Sequence, residues 1–278
     1  MKLVSYRADG RKRLGRVEGD GAIPLALEGK PADMESLLAS GALPDSLKPD
    51  GDALPLSGLD VDMPVAAPGK FFCVGLNYRD HAAEGGHAIP DYPAIFTRYP
   101  SSFVPHKAPL VRPPLSDRFD YEAELVIVIG KRAHRLTEKA ALDVVFGYTV
   151  CNDGSLRDYQ KKGAQWTPGK NFDRSGSVGP WIVTADALPR GAAGLSVQTR
   201  LNGELLQDGN TAELIFPVAR ILADITAFAT LEPGDMIATG TPAGVGFART
   251  PPRWLTPGDV CEVSVEGIGV LSNPVTEE

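Results

Sequence analysis

The sequence predicts a β-rich α+β fold, with a small N-terminal α/β domain over residues 1–65 and a larger, strand-rich domain over residues 66–278. Three observations predict it. Short apolar runs separated by turn residues dominate from Lys70 onward, while helical periodicity is sparse. The 30 Gly and 24 Pro supply the tight turns that β architectures need. Pro, Gly and Asp crowd residues 44–68, a composition that marks a join between two parts.

In chain order, the first unit reads as a strand at 2–6, a turn at Asp9-Gly10, a second strand at 14–17 and a short helix at 34–40. The second reads as strands at 71–75, 125–129, 144–151, 181–184, 195–201, 236–239 and 260–265. A short helix is expected at 138–142. A longer amphipathic one is expected at 217–230, where Val218, Ile221, Leu222, Ile225 and Phe228 recur at helical spacing. Asn202-Gly203 between Leu201 and Glu204 is a two-residue hairpin signal.

Composition excludes several function classes. Hydrophobic residues make up 43% and charged residues 23%, the usage of soluble globular proteins. A net charge of -7 argues against a nucleic-acid partner, which requires a basic domain or stripe. The basic cluster Arg11, Lys12, Arg13, Arg16 is short and reads as a solvated hairpin. No run approaches the roughly 18 apolar residues of a membrane helix, and residues 1–20 lack the apolar core of a signal peptide, so a cytoplasmic protein is expected. Cys73, Cys151 and Cys261 are odd in number and widely spaced, as buried reduced thiols would be. His87, His106 and His134 are expected at the surface.

The informative stretch is Asp120-Tyr121-Glu122-Ala123-Glu124 followed by Leu-Val-Ile-Val-Ile. A strand places residues i and i+2 on one face, about 6.6 Å apart, so Glu122 and Glu124 point the same way. Two like charges there need either solvent or a bound cation to stay ionised. Asp153 is a third carboxylate at the end of another apolar run, and an all-oxygen set suits Mg²⁺, Mn²⁺ or Ca²⁺ rather than Zn²⁺. His81 and Glu84 stand at i and i+3, one face of a helical turn. A carboxylate there would fix the imidazole tautomer and raise its basicity, though an isolated pair of this kind is commonly a surface feature.

Five ordered segments carry a resemblance to a known family: Gly75-Leu76-Asn77-Tyr78-Arg79-Asp80-His81-Ala82-Ala83-Glu84, Asp120 through Leu125, Asn152-Asp153, Gly169-Lys170-Asn171-Phe172-Asp173, and Thr239 through Gly246. Over residues 68–274 the chain resembles the fumarylacetoacetate hydrolase family, and within it the acylpyruvate hydrolase-like branch. The resemblance implies a mixed β-roll catalytic domain, a homodimer, and Mg²⁺ or Mn²⁺ held by Glu122, Glu124 and Asp153. It implies that His81 and Glu84 activate water, with Gly85-Gly86 as a mobile lid, that Lys170 stabilises an enolate, and that Arg157, Gln160 and Thr241 bind a small 2-oxo acid. The expected activity is hydrolysis of the C–C bond of an acylpyruvate, such as fumarylpyruvate or maleylpyruvate, in aromatic-compound catabolism. The alternative on the same metal site is an oxaloacetate-type decarboxylase or a 2-hydroxymuconate-type isomerase.

Overall fold

All seven residues of the strand Ala123–Ile129 are buried, and their side chains divide by the two-residue period of a strand. Leu125, Ile127 and Ile129 enter one core, Val126 and Val128 the other. Each such side chain contributes about 1.5–3 kcal/mol on burial, which fixes this strand in the middle layer. The computed structural model describes residues 1–278 apart from Gly85 and His87.

Val145–Asn152 and Met236–Ala238 flank the central strand, both antiparallel to it. Phe71–Gly75 and then Ala94–Thr97 continue the sheet on the Met236–Ala238 side. On the other side Gly176–Thr184 leads to the first strand, Lys2–Ala8, whose Leu3 pairs opposite Ile182. Arg11–Glu18 and Gly21–Leu27 extend it further, and the described residues place 14 strands in this mixed sheet.

One face is covered by a five-stranded sheet that contains Ser196–Leu201, Glu204–Asn210, Val260–Val265 and Gly269–Glu277, together with the helix Val218–Phe228. Val197, Val263, Leu271, Ile221 and Ile225 join Leu125 and Ile127 in that core. The helix Met34–Ser40 covers the opposite face through Met34, Leu37 and Leu38. Asp33 caps its start, accepting from Ser36 N at 2.7 Å, and Gly41 ends it at φ +66°. Asn202 and Gly203 take φ of 53° and 85°, the paired positive values of a type I′ hairpin turn. The architecture is the β-rich α+β one expected.

Some expectations need correction. Gly21–Leu27 and Gly269–Glu277 are strands that the sequence reading missed, because Pro24 and Pro274 interrupt their patterns. Phe228 shares the helical spacing of the buried residues yet is 57% exposed, since it closes the helix and meets Phe72 only edge-on at 6.0 Å. His106 is half-buried, not a surface residue: its Nδ1 accepts from Ser272 N at 3.1 Å, and burial, with Lys107 adding, lowers its pKa to about 4. His134 is exposed, and all three cysteines are buried and free. His87 and the Gly85 half of the expected lid lie outside the described residues. Among those described, no helix is long and apolar enough to cross a membrane.

Candidate active site

The register of one antiparallel pair builds the acidic centre. Ala123 lies opposite Asn152, so Glu122 precedes the pair on one strand and Asp153 follows it on the other. Asp153 N donates to Glu122 O, and Glu122 N to Asn152 Oδ1, both at 2.9 Å. Glu124 turns to the same place. One carboxylate oxygen from each of Glu122, Glu124 and Asp153 lies within 4.8 Å of the others, and all three residues are buried.

Three buried cations surround this centre. Lys170 Nζ donates to Glu122 Oε2 and Asp153 Oδ2, each at 2.5 Å. Arg157 donates to Glu122 Oε1 at 2.7 Å, to Asp120 Oδ2 at 2.8 Å and to Gln160 Oε1 at 3.0 Å. Arg98 donates to Asp153 Oδ1 at 2.7 Å. Asp120 in turn accepts from Gly246 N at 2.7 Å and Phe247 N at 3.0 Å, so it ties Arg157 to the 239–247 loop.

Electrostatics separate the carboxylates. Burial works to raise the Glu122 pKa, but Arg157, Lys170 and His81 together hold it well below the usual glutamate range. Burial likewise opposes the Lys170 ammonium, yet Asp153 and Glu122 raise its pKa above the ordinary lysine value, so it stays a cation. Glu124 is different. Burial first, then Asp153 and Glu122, push its carboxyl well above the ordinary range. Among the described residues it has no cationic partner, and its hydrogen bond comes from Gly240 N at 2.8 Å.

That imbalance tests the fit of a metal. Asp120, Glu122, Glu124 and Asp153 outnumber Arg98, Arg157 and Lys170 by one formal charge. A divalent ion would offset that negative excess beside Glu124, which has no cationic partner among the described residues, and buried oxygen donors are what hard cations take. The triad therefore fits a divalent metal, and its chemistry does not choose between Mg²⁺ and Mn²⁺.

His81 and Glu84 share the short helix Arg79–Glu84, with His81 Nδ1 and Glu84 Oε2 3.3 Å apart. The other Glu84 oxygen accepts from Gly244 N at 3.0 Å, which couples the pair to the loop that carries Thr241. Asn77 sets the same junction from below: its amide donates to Thr239 O at 2.7 Å and Phe216 O at 3.1 Å, and it accepts from Phe216 N at 2.7 Å. Gly240 needs its bare backbone here, because at φ +102° a Cβ would stand 2.8 Å from Asn77 Cβ. Gly169 has a similar constraint: a Cβ would lie 2.4 Å from Gln160 N, so only glycine lets the helix that presents Lys170 pack on the one that presents Arg157.

A cavity of about 370 Å³ opens onto the centre. All nine residues singled out from the sequence come together around it: Glu122, Glu124, Asp153, Lys170, His81, Arg157, Gln160 and Thr241 line it, and Glu84 stands behind His81. Phe96, Trp166 and Phe247 form apolar walls, and Lys161 stands at the rim. Asp120, Arg98 and Gln207 were given no role from the sequence. Asp120 heads the acidic segment itself, while Arg98 follows the apolar residues Ile95 and Phe96, an isolated charge that was the available signal.

A buried three-carboxylate centre at the floor of a cavity defines a class of divalent-metal sites for small oxygen-rich ligands. Residues 70–276 match the family model described as fumarylacetoacetate (FAA) hydrolase C-terminal, and the chain belongs to the fumarylacetoacetate hydrolase family, a family of enzymes. It is 41% identical to the mitochondrial oxaloacetate tautomerase of Xenopus laevis, over 79% of this chain and 69% of that one. Among solved structures, it resembles the fumarylacetoacetate hydrolase of Exiguobacterium antarcticum (TM-score 0.87, 38% identity, 100% of both chains). It also resembles the 2-hydroxyhepta-2,4-diene-1,7-dioate isomerase of Mycobacterium marinum (TM-score 0.82, 33% identity, 100% of this chain and 99% of that one). The names tautomerase and isomerase move the balance away from the acylpyruvate hydrolysis expected from the sequence and toward the isomerase alternative on the same site. The physical reason for the misreading is that a base beside an enolate-stabilising centre serves both chemistries.

Proposed function

We propose that this protein is a metal-dependent tautomerase or isomerase of a small 2-oxo dicarboxylate, moving a proton between the carbon next to the 2-oxo group and its oxygen. The observation that carries the reading is the placement of Lys170 and the acidic triad on one side of the cavity with His81 on its lining. An enolate needs positive charge at the oxygen and a base at the carbon. A divalent ion held by Glu122, Glu124 and Asp153 would supply Lewis acidity toward the 2-oxo group.

The remaining steps belong to the chain. The Lys170 ammonium, held between Glu122 and Asp153, would stabilise the negative charge on an enolate oxygen, and its raised pKa keeps it protonated for that role. His81, oriented by Glu84, takes the proton from the adjacent carbon and returns it to the other position. Phe96, Trp166 and Phe247 keep bulk water from the exposed carbanion. No water attack is required, so the same pair that would serve a hydrolase serves a tautomerase.

The test is to dissolve enol oxaloacetate with protein stripped by EDTA, then reloaded with Mg²⁺ or Mn²⁺, and to follow enol absorbance beside product mass. Faster loss of the enol at unchanged mass, restored by metal, is the expected result. Loss of CO₂ beyond background would mean a decarboxylase. If instead acylpyruvates are split into two fragments while the enol decays at its uncatalysed rate, the hydrolase reading replaces this one.

A further inference from the structure

Gln207 lies on the strand Glu204–Asn210 of the second sheet, fully buried, and all four of its amide hydrogen-bonding positions are used. Its Oε1 accepts from Ala123 N at 3.0 Å and from Thr199 Oγ1 at 2.6 Å. Its Nε2 donates to Pro242 O at 2.8 Å and to Thr241 Oγ1 at 2.9 Å. Two of these partners remove any ambiguity of amide orientation. Ala123 N can only donate and Pro242 O can only accept, so the oxygen must face the strand and the nitrogen the loop.

The consequence falls on Thr241. Its hydroxyl accepts from Gln207, so its own proton points elsewhere, and among the described residues it makes no second hydrogen bond. Thr241 is only 4% exposed and lines the cavity. A buried hydroxyl proton left unpaired is costly, and the space before it is the cavity.

We propose that Gln207 is a positioning residue: it fixes the Thr241 hydroxyl as a donor toward the cavity, where it binds an anionic oxygen of the substrate. The inference rests on the reading of the cavity as a 2-oxo acid site. It adds a second effect of the same amide, since one side chain holds both Ala123, between two of the carboxylates, and the loop that receives the substrate.

The experiment combines Gln207→Met, Gln207→Glu, Thr241→Val, Thr241→Ser and the double variant Gln207→Met/Thr241→Val. Each is assayed for steady-state kinetics on enol oxaloacetate, for Mn²⁺ affinity by electron paramagnetic resonance, and for oxalate binding to the Mn²⁺-loaded protein by calorimetry. Thr241→Val and Gln207→Met each raise KM and weaken oxalate about five- to tenfold with kcat largely kept, Thr241→Ser does not, and the double variant is no worse than either single. Gln207→Glu keeps the side-chain volume should Gln207→Met fail to fold. With its acid proton on Pro242 O, or ionised, it offers Thr241 an acceptor and draws the hydroxyl proton back, giving the same loss. Additive losses in the double variant overturn the proposal, as does a fall in Mn²⁺ affinity in Gln207→Met without loss of oxalate binding beyond it. If wild-type protein turns over no 2-oxo acid but the oxalate pattern holds, the functional reading fails and the positioning role stands.

Discussion

The guanidinium of Arg98 donates to Asp153 Oδ1 across 2.7 Å, and neither side chain reaches solvent. The same guanidinium also donates to Ser102 O, Gly154 O and the hydroxyls of Ser102 and Ser175, so Arg98 clamps the turn that carries Asp153. Replacing it with methionine leaves a buried carboxylate short of its partner. Arg98→Met is expected to lose about 3–5 kcal/mol of stability in urea unfolding of metal-stripped protein, with much of the loss recovered at saturating Mn²⁺.

Glu124 leads to the opposite expectation. Burial, with Asp153 and Glu122 adding, raises its folded-state pKa above the ordinary glutamate value of 4.5. A raised carboxyl favours the folded state at low pH, and that advantage is lost as pH rises from the unfolded value through the folded one. At neutral pH, Glu124→Gln should therefore stabilise metal-stripped protein by about 1–3 kcal/mol, with the gain shrinking as pH falls toward 4.5. Thermal unfolding across pH checks the sign. Mn²⁺ should raise the midpoint of wild type and leave the variant unmoved.

His81 carries the proton and Glu84 orients its ring. His81→Ala should lower kcat roughly 10²- to 10⁴-fold while Mn²⁺ affinity is kept, because His81 supplies no ligand to the triad. Glu84→Gln preserves an acceptor for Gly244 N and removes the charge beside the imidazole, so a smaller fall is expected. Equal loss of metal binding and turnover in His81→Ala would contradict the assignment.

Lys161 predicts selectivity. Among the cavity cations it alone makes no ion pair with the described residues, and its ammonium lies 5.3 Å from the centre of the Phe247 ring. Phe247 is also covered by Arg157 at 4.7 Å. An exposed lysine at the rim suits the distal carboxylate of a dicarboxylate. Lys161→Met should raise KM for oxaloacetate roughly two- to fivefold, an effect that shrinks in high salt, and leave acetylpyruvate unchanged.

The layers of this fold were legible because they rest on short-range pattern. The Leu125–Ile129 apolar run, the Asn202-Gly203 turn and the spacing of Ile221, Leu222 and Ile225 each encode an element through local sterics and burial. Strands interrupted by Pro24 and Pro274 were hidden because proline breaks their pattern, although each pairs with the strand just before it, Pro24 opposite Gly15 and Pro274 opposite Val260. The acidic residues of the centre were legible for a similar reason, since Glu122 and Glu124 sit two apart at the mouth of an apolar run. Arg98 and Gln207 were not. Arg98 reaches Asp153 55 residues away and Gln207 reaches Ala123 84 residues away, and an arginine or a glutamine beside an apolar run looks the same in sequence whether it faces water or a buried polar partner. The reaction was also hidden, because His81 beside Glu84 describes a base without naming the atom that gives up the proton.

Turnover here is a metal-dependent proton transfer at the carbon next to the 2-oxo group. Deuterium uptake at that carbon, measured by NMR in D₂O with EDTA-stripped protein, Mn²⁺-loaded protein and Mn²⁺-loaded Glu124→Gln, tests it most directly. Uptake above the uncatalysed rate is expected only in the loaded wild type. Uptake that survives EDTA, or that persists in Glu124→Gln, would contradict it.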